Sequence, residues 1–272
     1  MCGDNFTIGN SKYADDTGLA FTSRQDLDVQ TPKLLVHFER WGMEIHAGVY
    51  APDGSSVAKE SKTEVLFCSA RIYINPASYD GTDLSDVQLP GGFFMPIVDK
   101  FGYLGRIVTR DGNDAVDVDS RIEKAGKAFG ALRGCLFAST HINVKAKRAV
   151  YVMLILSILL YGAETWSTSE RMLQRLRVFH ARCVRAMCRV TRKHTWDHHL
   201  PTAELERRLG LDSIDVYLAR RQLRWLGHVR RMDYEQRLPR RMLSAWVARP
   251  CPCGAPPMTY GRSIGRALDE FH

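Results

Sequence analysis

The spacing of hydrophobic residues changes along the chain, and each spacing predicts a different kind of structure. In the first forty residues short apolar stretches alternate with polar ones: Phe6 and Ile8, then Tyr13 to Asp16, then Leu19 to Phe21. That rhythm predicts a β-hairpin with Asp15 and Asp16 at or near its turn. From Ser23 to Trp41 the residues Leu27, Leu34, Leu35, Phe38 and Trp41 fall on one helical face. Pro32 cannot donate a backbone hydrogen bond and is expected to start or kink a turn, so the helix is expected mainly after it. Between Gly42 and Gly105, glycines and prolines separate the runs Glu64 to Cys68, Arg71 to Ile74 and Phe101 to Leu104. These read as short strands, with an exposed loop at residues 76–92.

Beyond Ser120 the period becomes helical. Ser120 and Glu123 make a capping-box signature, followed by Ile122, Ala125, Phe129, Leu132 and Leu136 at helical spacing. A helix around residues 144–161, apolar on all sides, ends near Gly162. Ser167 and Glu170 form a second capping box, leading into a helix to about Val190 with Met172, Leu176, Phe179, Cys183, Met187 and Val190 on one side. At roughly 100° per residue, Arg171, Arg175, Arg182, Arg185 and Arg189 gather within about 80° on another. A helix from about Ser213 to Met232 repeats the arrangement, with Leu218, Trp225 and Val229 inward and Arg220, Arg224 and Arg231 in a row. Past Pro239 a tail with Pro250, Pro252, Gly254, Pro256 and Pro257 is expected to be irregular. The expected fold is α+β, a partial antiparallel sheet followed by a mainly helical region.

Composition narrows the classes of function. A chain of 272 residues with 45% apolar content can bury a core. The apolar run Ala149 to Tyr161 is shorter than the ~20 residues a membrane helix needs, and no basic stretch followed by an apolar core opens the chain. Neither a membrane span nor a secretory signal is expected. The odd, scattered set of seven cysteines suits a reducing interior, nuclear or cytoplasmic. The net charge of +8 is divided unevenly: residues 1–120 hold 10 Lys and Arg against 18 Asp and Glu, residues 121–272 hold 28 against 12. Positive charge so concentrated fits a polyanion partner, and equally a solubilising surface.

Two acidic neighbours at a turn are ordinarily a cap or loop feature. Here their surroundings add meaning. Tyr13-Ala14-Asp15-Asp16 followed by Thr17-Gly18-Leu19-Ala20-Phe21 resembles the catalytic hairpin of reverse transcriptases. Gly42-Met43-Glu44-Ile45 and Ser61-Lys62-Thr63-Glu64-Val65-Leu66, separated by the insertion Ala51 to Glu60, resemble the segment that follows that hairpin in non-LTR retroelements. Phe101-Gly102-Tyr103-Leu104-Gly105 resembles their primer-grip turn. Leu160-Tyr161-Gly162-Ala163-Glu164-Thr165-Trp166 and Arg224-Trp225-Leu226-Gly227-His228-Val229-Arg230-Arg231-Met232 resemble thumb and post-thumb segments.

The resemblance implies a palm portion over residues 1–110, a helical thumb over 111–200 and a basic C-terminal region over 201–272. It implies that Asp15 and Asp16 bind Mg²⁺, that Tyr13 and Ala14 meet the primer end and incoming deoxynucleotide, that Lys62 assists pyrophosphate departure, and that Phe101, Gly102, Tyr103, Leu104 and Gly105 hold the primer. RNA template, DNA primer and RNA–DNA duplex are the implied partners. Lys62 also reads as a solvated lysine, and Phe101 to Gly105 as a plain strand end. Only twelve residues precede Tyr13, so the family's further palm aspartate and fingers have no counterpart here. Two divalent ions cannot be organised by Asp15 and Asp16 alone, and these residues are expected to lack polymerase activity unaided.

Other readings stay open: a non-catalytic, basic helical nucleic-acid-binding protein, or a decayed retroelement frame. Zinc is not expected. Cys183 and Cys188 are five apart on one helix, with sulfurs about 140° from each other, and Cys251-Pro252-Cys253 has no second nearby pair.

Overall fold

The computed structural model describes residues 10–13, 16–51, 57–68, 84–234, 237–243 and 259–271. The fold is α+β. The described residues divide into two compact units, one up to Asn113 and the other from Asp114 onward.

In the first unit the hairpin expected from the alternation is present. Strands β1 (Asn10–Tyr13) and β2 (Asp16–Leu19) pair antiparallel, with Tyr13 opposite Asp16. Helix α1 (Arg24–Arg40) follows, capped by Ser23, whose hydroxyl accepts from the Asp26 N–H at 3.0 Å. It runs unbroken through Pro32, where a start or kink was expected. Proline removes one main-chain donor. Local bonds in the turns before it support the helix: Arg24 Nε pairs with Asp28 at 2.8 Å, and the buried Thr31 hydroxyl donates to the Leu27 carbonyl at 2.7 Å.

Short strands complete this unit: β3 (Gly48–Tyr50), β4 (Val57–Lys59), β5 (Val65–Leu66), β6 (Val87–Leu89), β7 (Phe93–Met95), β8 (Ile97–Val98), β9 (Lys100–Tyr103) and β10 (Arg106–Thr109). A four-stranded sheet has the order β4-β3-β7-β6, while β5 pairs β8 in parallel and β9 pairs β10 as a hairpin. The exposed loop expected at 76–92 is corrected over its second part. Val87 and Leu89 are buried in β6 with Gln88 exposed between them, and they join Leu27, Ala47 and Met95 in a small core. Gly48 lets β3 approach β7, since a Cβ there would stand 2.6 Å from the Phe94 ring. The strand expected at Arg71 to Ile74 lies outside the described residues.

The second unit is helical. Helix α2 (Ala115–Leu132) begins five residues before the Ser120 box that was expected to open it, and continues as one π-turn over Arg133–Phe137. Helix α3 (Val144–Val150), a π-turn (Tyr151–Ile155) and α4 (Leu156–Leu159) form the next hydrophobic stretch. A stretch so apolar on all sides reads as buried all round, yet it is buried on one side only: Met153 is 69% exposed while Tyr151, Ile155 and Leu159 are fully buried. Gly162, at φ 75°, closes it in the left-handed region where a side chain would be strained. Helix α5 (Glu170–Met187) is capped by Ser169, two residues after the expected Ser167. Then come α6 (Arg192–Asp197), α7 (Thr202–Leu209), α8 (Ile214–Arg230) and α9 (Leu238–Leu243). Helix α10 (Tyr260–Asp269) corrects the expectation of an irregular region past Pro239. The named prolines of that tail lie outside the described residues.

Buried polar side chains pin these helices. Trp166, fully buried, donates its indole N–H to Asp117 on α2 at 2.9 Å, and Asp117 lies 3.6 Å from the Arg121 guanidinium. Arg121 in turn stacks on the Tyr161 ring at 4.5 Å. Gln222 of α8 donates to the Trp166 carbonyl at 3.2 Å and to the Ser263 hydroxyl of α10 at 3.1 Å. Removing one member of a buried ion pair strands the other without water, a cost of about 3–5 kcal/mol. Asp117→Ala is therefore expected to lower the unfolding free energy by about that amount in urea titration, and a loss under ~1 kcal/mol would contradict the role given to this carboxylate.

Candidate nucleic-acid interface

The residues singled out in the sequence fall into two groups, one in each unit. In the first unit Asp16 is exposed on β2, opposite Tyr13, while Ala14 and Asp15 lie outside the described residues. A cavity of about 430 Å³ is lined by Thr17, Leu19 and Phe21 on one side and by Thr63, Glu64 and Val65 on another. The hairpin and the Ser61-to-Leu66 segment thus share a wall, with Asp16 and Lys62 each one residue away from it. Lys62 is exposed, and its backbone N–H donates to the His46 carbonyl at 3.1 Å.

Phe101 to Gly105 form a true hairpin turn. Tyr103 is opposite Arg106, and the two residues between them, Leu104 (φ 48°) and Gly105 (φ 76°), both have positive φ, as a tight type I′ connection requires. Alternation puts the half-buried Phe101 and Tyr103 rings on one face, 6.2 Å apart, and leaves Gly102 and Leu104 exposed. The turn therefore offers backbone at its tip and aromatic surface behind it.

In the second unit the arginine stripe is only partly a stripe. Met172, Leu176, Phe179, Cys183 and Met187 are buried along α5, as its periodicity predicted, and Arg171, Arg175 and Arg182 are exposed on the opposite side. Arg175 is paired with Asp119 of α2, and Arg182 lies over the Phe179 ring at 5.9 Å. Arg189 is not on the helix. It follows the Cys188 cap at φ 58°, in a reversal where the Val190 N–H donates to the Arg185 carbonyl at 2.9 Å. On α8, Arg220 pairs with Asp212 at 3.1 Å, and Arg224 and Arg231 are exposed. Among the described residues no carboxylate pairs with Arg171, Arg182, Arg185, Arg189, Arg224 or Arg231. Burial, together with Arg192 and Arg182, holds the Arg185 guanidinium below its ordinary pKa, so those three cations are near neighbours.

Sequence reasoning passed over two features. Tyr151 donates or accepts at His180 Nδ1 over 2.8 Å, and His180 Nε2 lies 3.3 Å from Glu206 Oε1, a polar line through the core whose burial raises the tyrosine pKa well above its usual value. No spacing rule links those three positions. The other feature is α6 itself, whose Arg-Lys-His-Thr-Trp run leaves Trp196 80% exposed. Its legible signal was charge: residues 182–203 contain five Lys and Arg against one carboxylate, Asp197.

Among the described residues no group of three or more His, Cys, Asp or Glu is placed to hold a metal ion, and no helix is long and apolar enough to cross a membrane. Cys251 and Cys253 lie outside them.

Compared with known proteins, the chain matches no family model and no solved structure. An uncharacterised, transposon-derived protein of Caenorhabditis elegans is 24% identical over 229 residues, covering 84% of this chain and 73% of that one. The similarity is consistent with a transposable-element origin.

Burial also sets the reactivity of Cys183 and Cys188. Burial pushes the Cys183 thiol up to about 12 and raises the Cys188 thiol as well. A thiol so raised stays protonated and unreactive near neutrality. Iodoacetamide at about pH 8 is expected to modify the exposed Cys135 of the native chain and to reach Cys183 only after denaturation, as read by peptide mass spectrometry.

Proposed function

We propose that the chain supplies the catalytic hairpin, primer-grip turn and nucleic-acid-gripping helices of an RNA-directed DNA polymerase of the non-LTR retroelement class. The observation that carries this reading is the hairpin: β1 and β2 pair antiparallel with Tyr13 opposite Asp16, the first and last residues of the Tyr13-Ala14-Asp15-Asp16 run. That is the setting in which adjacent carboxylates can face one substrate. The positive-φ turn at Leu104 and Gly105, the cation excess of residues 114–272 (28 Lys and Arg against 15 Asp and Glu) and the transposon-derived relative all point the same way.

In this reading Asp15 and Asp16 hold Mg²⁺, whose preference for oxygen donors their carboxylates suit, and the ion would supply charge stabilisation for phosphoryl transfer. Tyr13 and Ala14 adjoin the primer end and the deoxynucleotide, Lys62 the departing pyrophosphate, and Phe101 to Gly105 the primer strand. Arg171, Arg182 and Arg185 on α5, with Arg224 and Arg231 on and just after α8, contact template and primer backbones. A second reading, a nucleic-acid-binding protein without catalysis, is favoured by the unpaired arginines and needs no metal.

Two carboxylates are too few for two divalent ions, so these 272 residues with template, primer, deoxynucleotides and Mg²⁺ are expected to extend no primer. Extension that disappears in Asp15→Asn would overturn the claim of inactivity while upholding the site. Binding is the positive test. RNA–DNA duplex should bind with little sequence preference, since backbone contacts position without reading bases. The log–log salt slope should be on the order of −0.7 to −0.9 per phosphate contacted. Replacing Arg171, Arg182 and Arg185 together by Gln should shrink that slope by about two to three units with helicity intact. Absence of any salt-dependent binding by the parent chain would sink both readings.

A further inference from the structure

Helix α6 is held firmly at its two ends and buries nothing of itself. Val190 before it and Leu200 after it pack against the main core of the helical unit. The Thr191 hydroxyl caps it, accepting from the His194 N–H at 3.1 Å, and the Leu200 N–H returns to the Thr195 carbonyl at 2.9 Å. Between those anchors none of its six residues is buried. An indole 80% exposed gains nothing from the fold around it. Its presence on a tethered element calls for a partner with an apolar, flat face.

The charge beside it narrows the partner. Arg192 and Trp196 are one helical turn apart and share a face of α6. Arg192, at the start of α6, and Arg182, one turn before Arg185 on α5, both lie close enough to Arg185 to disfavour its charge, and Arg189 lies in the reversal joining α5 to α6. Among the described residues none of these four arginines pairs with a carboxylate. Arginines gathered without acids suit a row of phosphates. In a duplex the flat faces of the bases are covered by one another, so only an unpaired base can offer its face to an indole.

We infer that Trp196 is a stacking platform for an unpaired base of a single-stranded nucleic acid whose backbone phosphates lie against Arg182, Arg185, Arg189 and Arg192. The inference deepens the proposed nucleic-acid binding and rests on it. It adds a second mode, in which arginines at the C-terminal end of α5 that also reach duplex backbone hold a single strand together with α6. Phosphate contacts supply the affinity and its salt dependence, and the indole supplies selection of single over double strand.

The test uses the full chain and fluorescein-labelled oligo(U) of about 20 nucleotides, with an RNA–DNA duplex of equal length as the second probe. Trp196→Ala is expected to weaken oligo(U) binding by at least about five-fold, change duplex binding by less than about two-fold, and leave the salt slope unchanged. Trp196→Phe keeps a ring and should recover most of the affinity. Arg185→Gln with Arg192→Gln should instead reduce the oligo(U) salt slope by about 1.4 units. Tryptophan emission quenched by oligo(U) in the parent should lose that quenching in Trp196→Phe. Equal oligo(U) affinity of parent and Trp196→Ala overturns the inference while leaving duplex binding, and so the proposed function, standing. Equal loss on both probes, with altered circular dichroism, overturns it as well, because the indole would then be structural. Self-association of the parent that Trp196→Ala abolishes, with oligo(U) affinity unchanged, would assign the indole to a protein partner instead. A parent that binds neither probe removes the inference and the proposed function together.

Discussion

The helical unit depends on a carboxylate that never meets water. Asp117, on the first turn of α2, receives the Trp166 indole N–H and faces Arg121, whose guanidinium is covered by the Tyr161 ring. Three bends of the chain are fixed through it: the start of α2, the reversal at Gly162, and the extended residues entering α5. The main chain adds a parallel tie, since the Ser167 N–H donates to Asp114 at 2.8 Å. With Trp166 seated, its carbonyl and that of Ala163 both accept from Gln222, which draws α8 and α10 onto the same bend. The interaction is local at each step and cumulative in effect. It also costs desolvation of two ions, which excellent geometry and the extra hydrogen bonds must offset.

This anchoring explains where sequence patterns were legible and where they were not. Periodicity identified the buried faces of α5 and α8, because each helix must hide one stripe whatever it packs against. Capping signatures misplaced two helix starts. Ser120 lies inside α2, and Ser167 gave way to Ser169, because a capping box reports only local donors while Asp114 and Asp117 recruit partners some fifty residues away. Helix α10 was missed since its neighbours are rich in proline and glycine, yet its buried Ser263, Ile264 and Ala267 repeat at helical spacing. Strand β6 was missed because a run of three residues is too short to show alternation against surrounding turns.

The candidate sites follow the same division. Hairpin and turn residues announce themselves by type: adjacent aspartates after an alternating run, and glycine where φ must be positive. The resemblance of Leu160 to Trp166 to a retroelement segment, by contrast, marks residues that build the bend on Asp117; among them only Tyr161 is a half-exposed large side chain. A motif can therefore be shared for folding and say nothing of substrate. The arginine stripe was drawn by extending α5 to Val190, and the left-handed turn at Arg189 shows why that extension fails. A helix ended by such a reversal turns its last cations away from the stripe and toward the element that follows.

That turn has an energetic consequence for the surface it creates. Arg182, Arg185 and Arg192 come together without an acid among the described residues, and Arg185 is partly desolvated as well, so the free chain bears repulsion that a carboxylate would have relieved. Stability for this region is drawn from elsewhere: from the buried apolar side of α5, from Val190 and Leu200 anchoring α6, and from Arg177, which ties α5 to α8 through Asp215 at 2.8 Å. The two arrangements of arginine on one helix are physically opposite. Arg177 is satisfied within the fold and contributes to holding it, whereas the cluster at the C-terminal end has no carboxylate partner among the described residues. A ligand that binds only the folded state adds its binding energy to the stability of that state, so an anion held at the α5–α6 junction, as proposed above, would relieve the repulsion built into it.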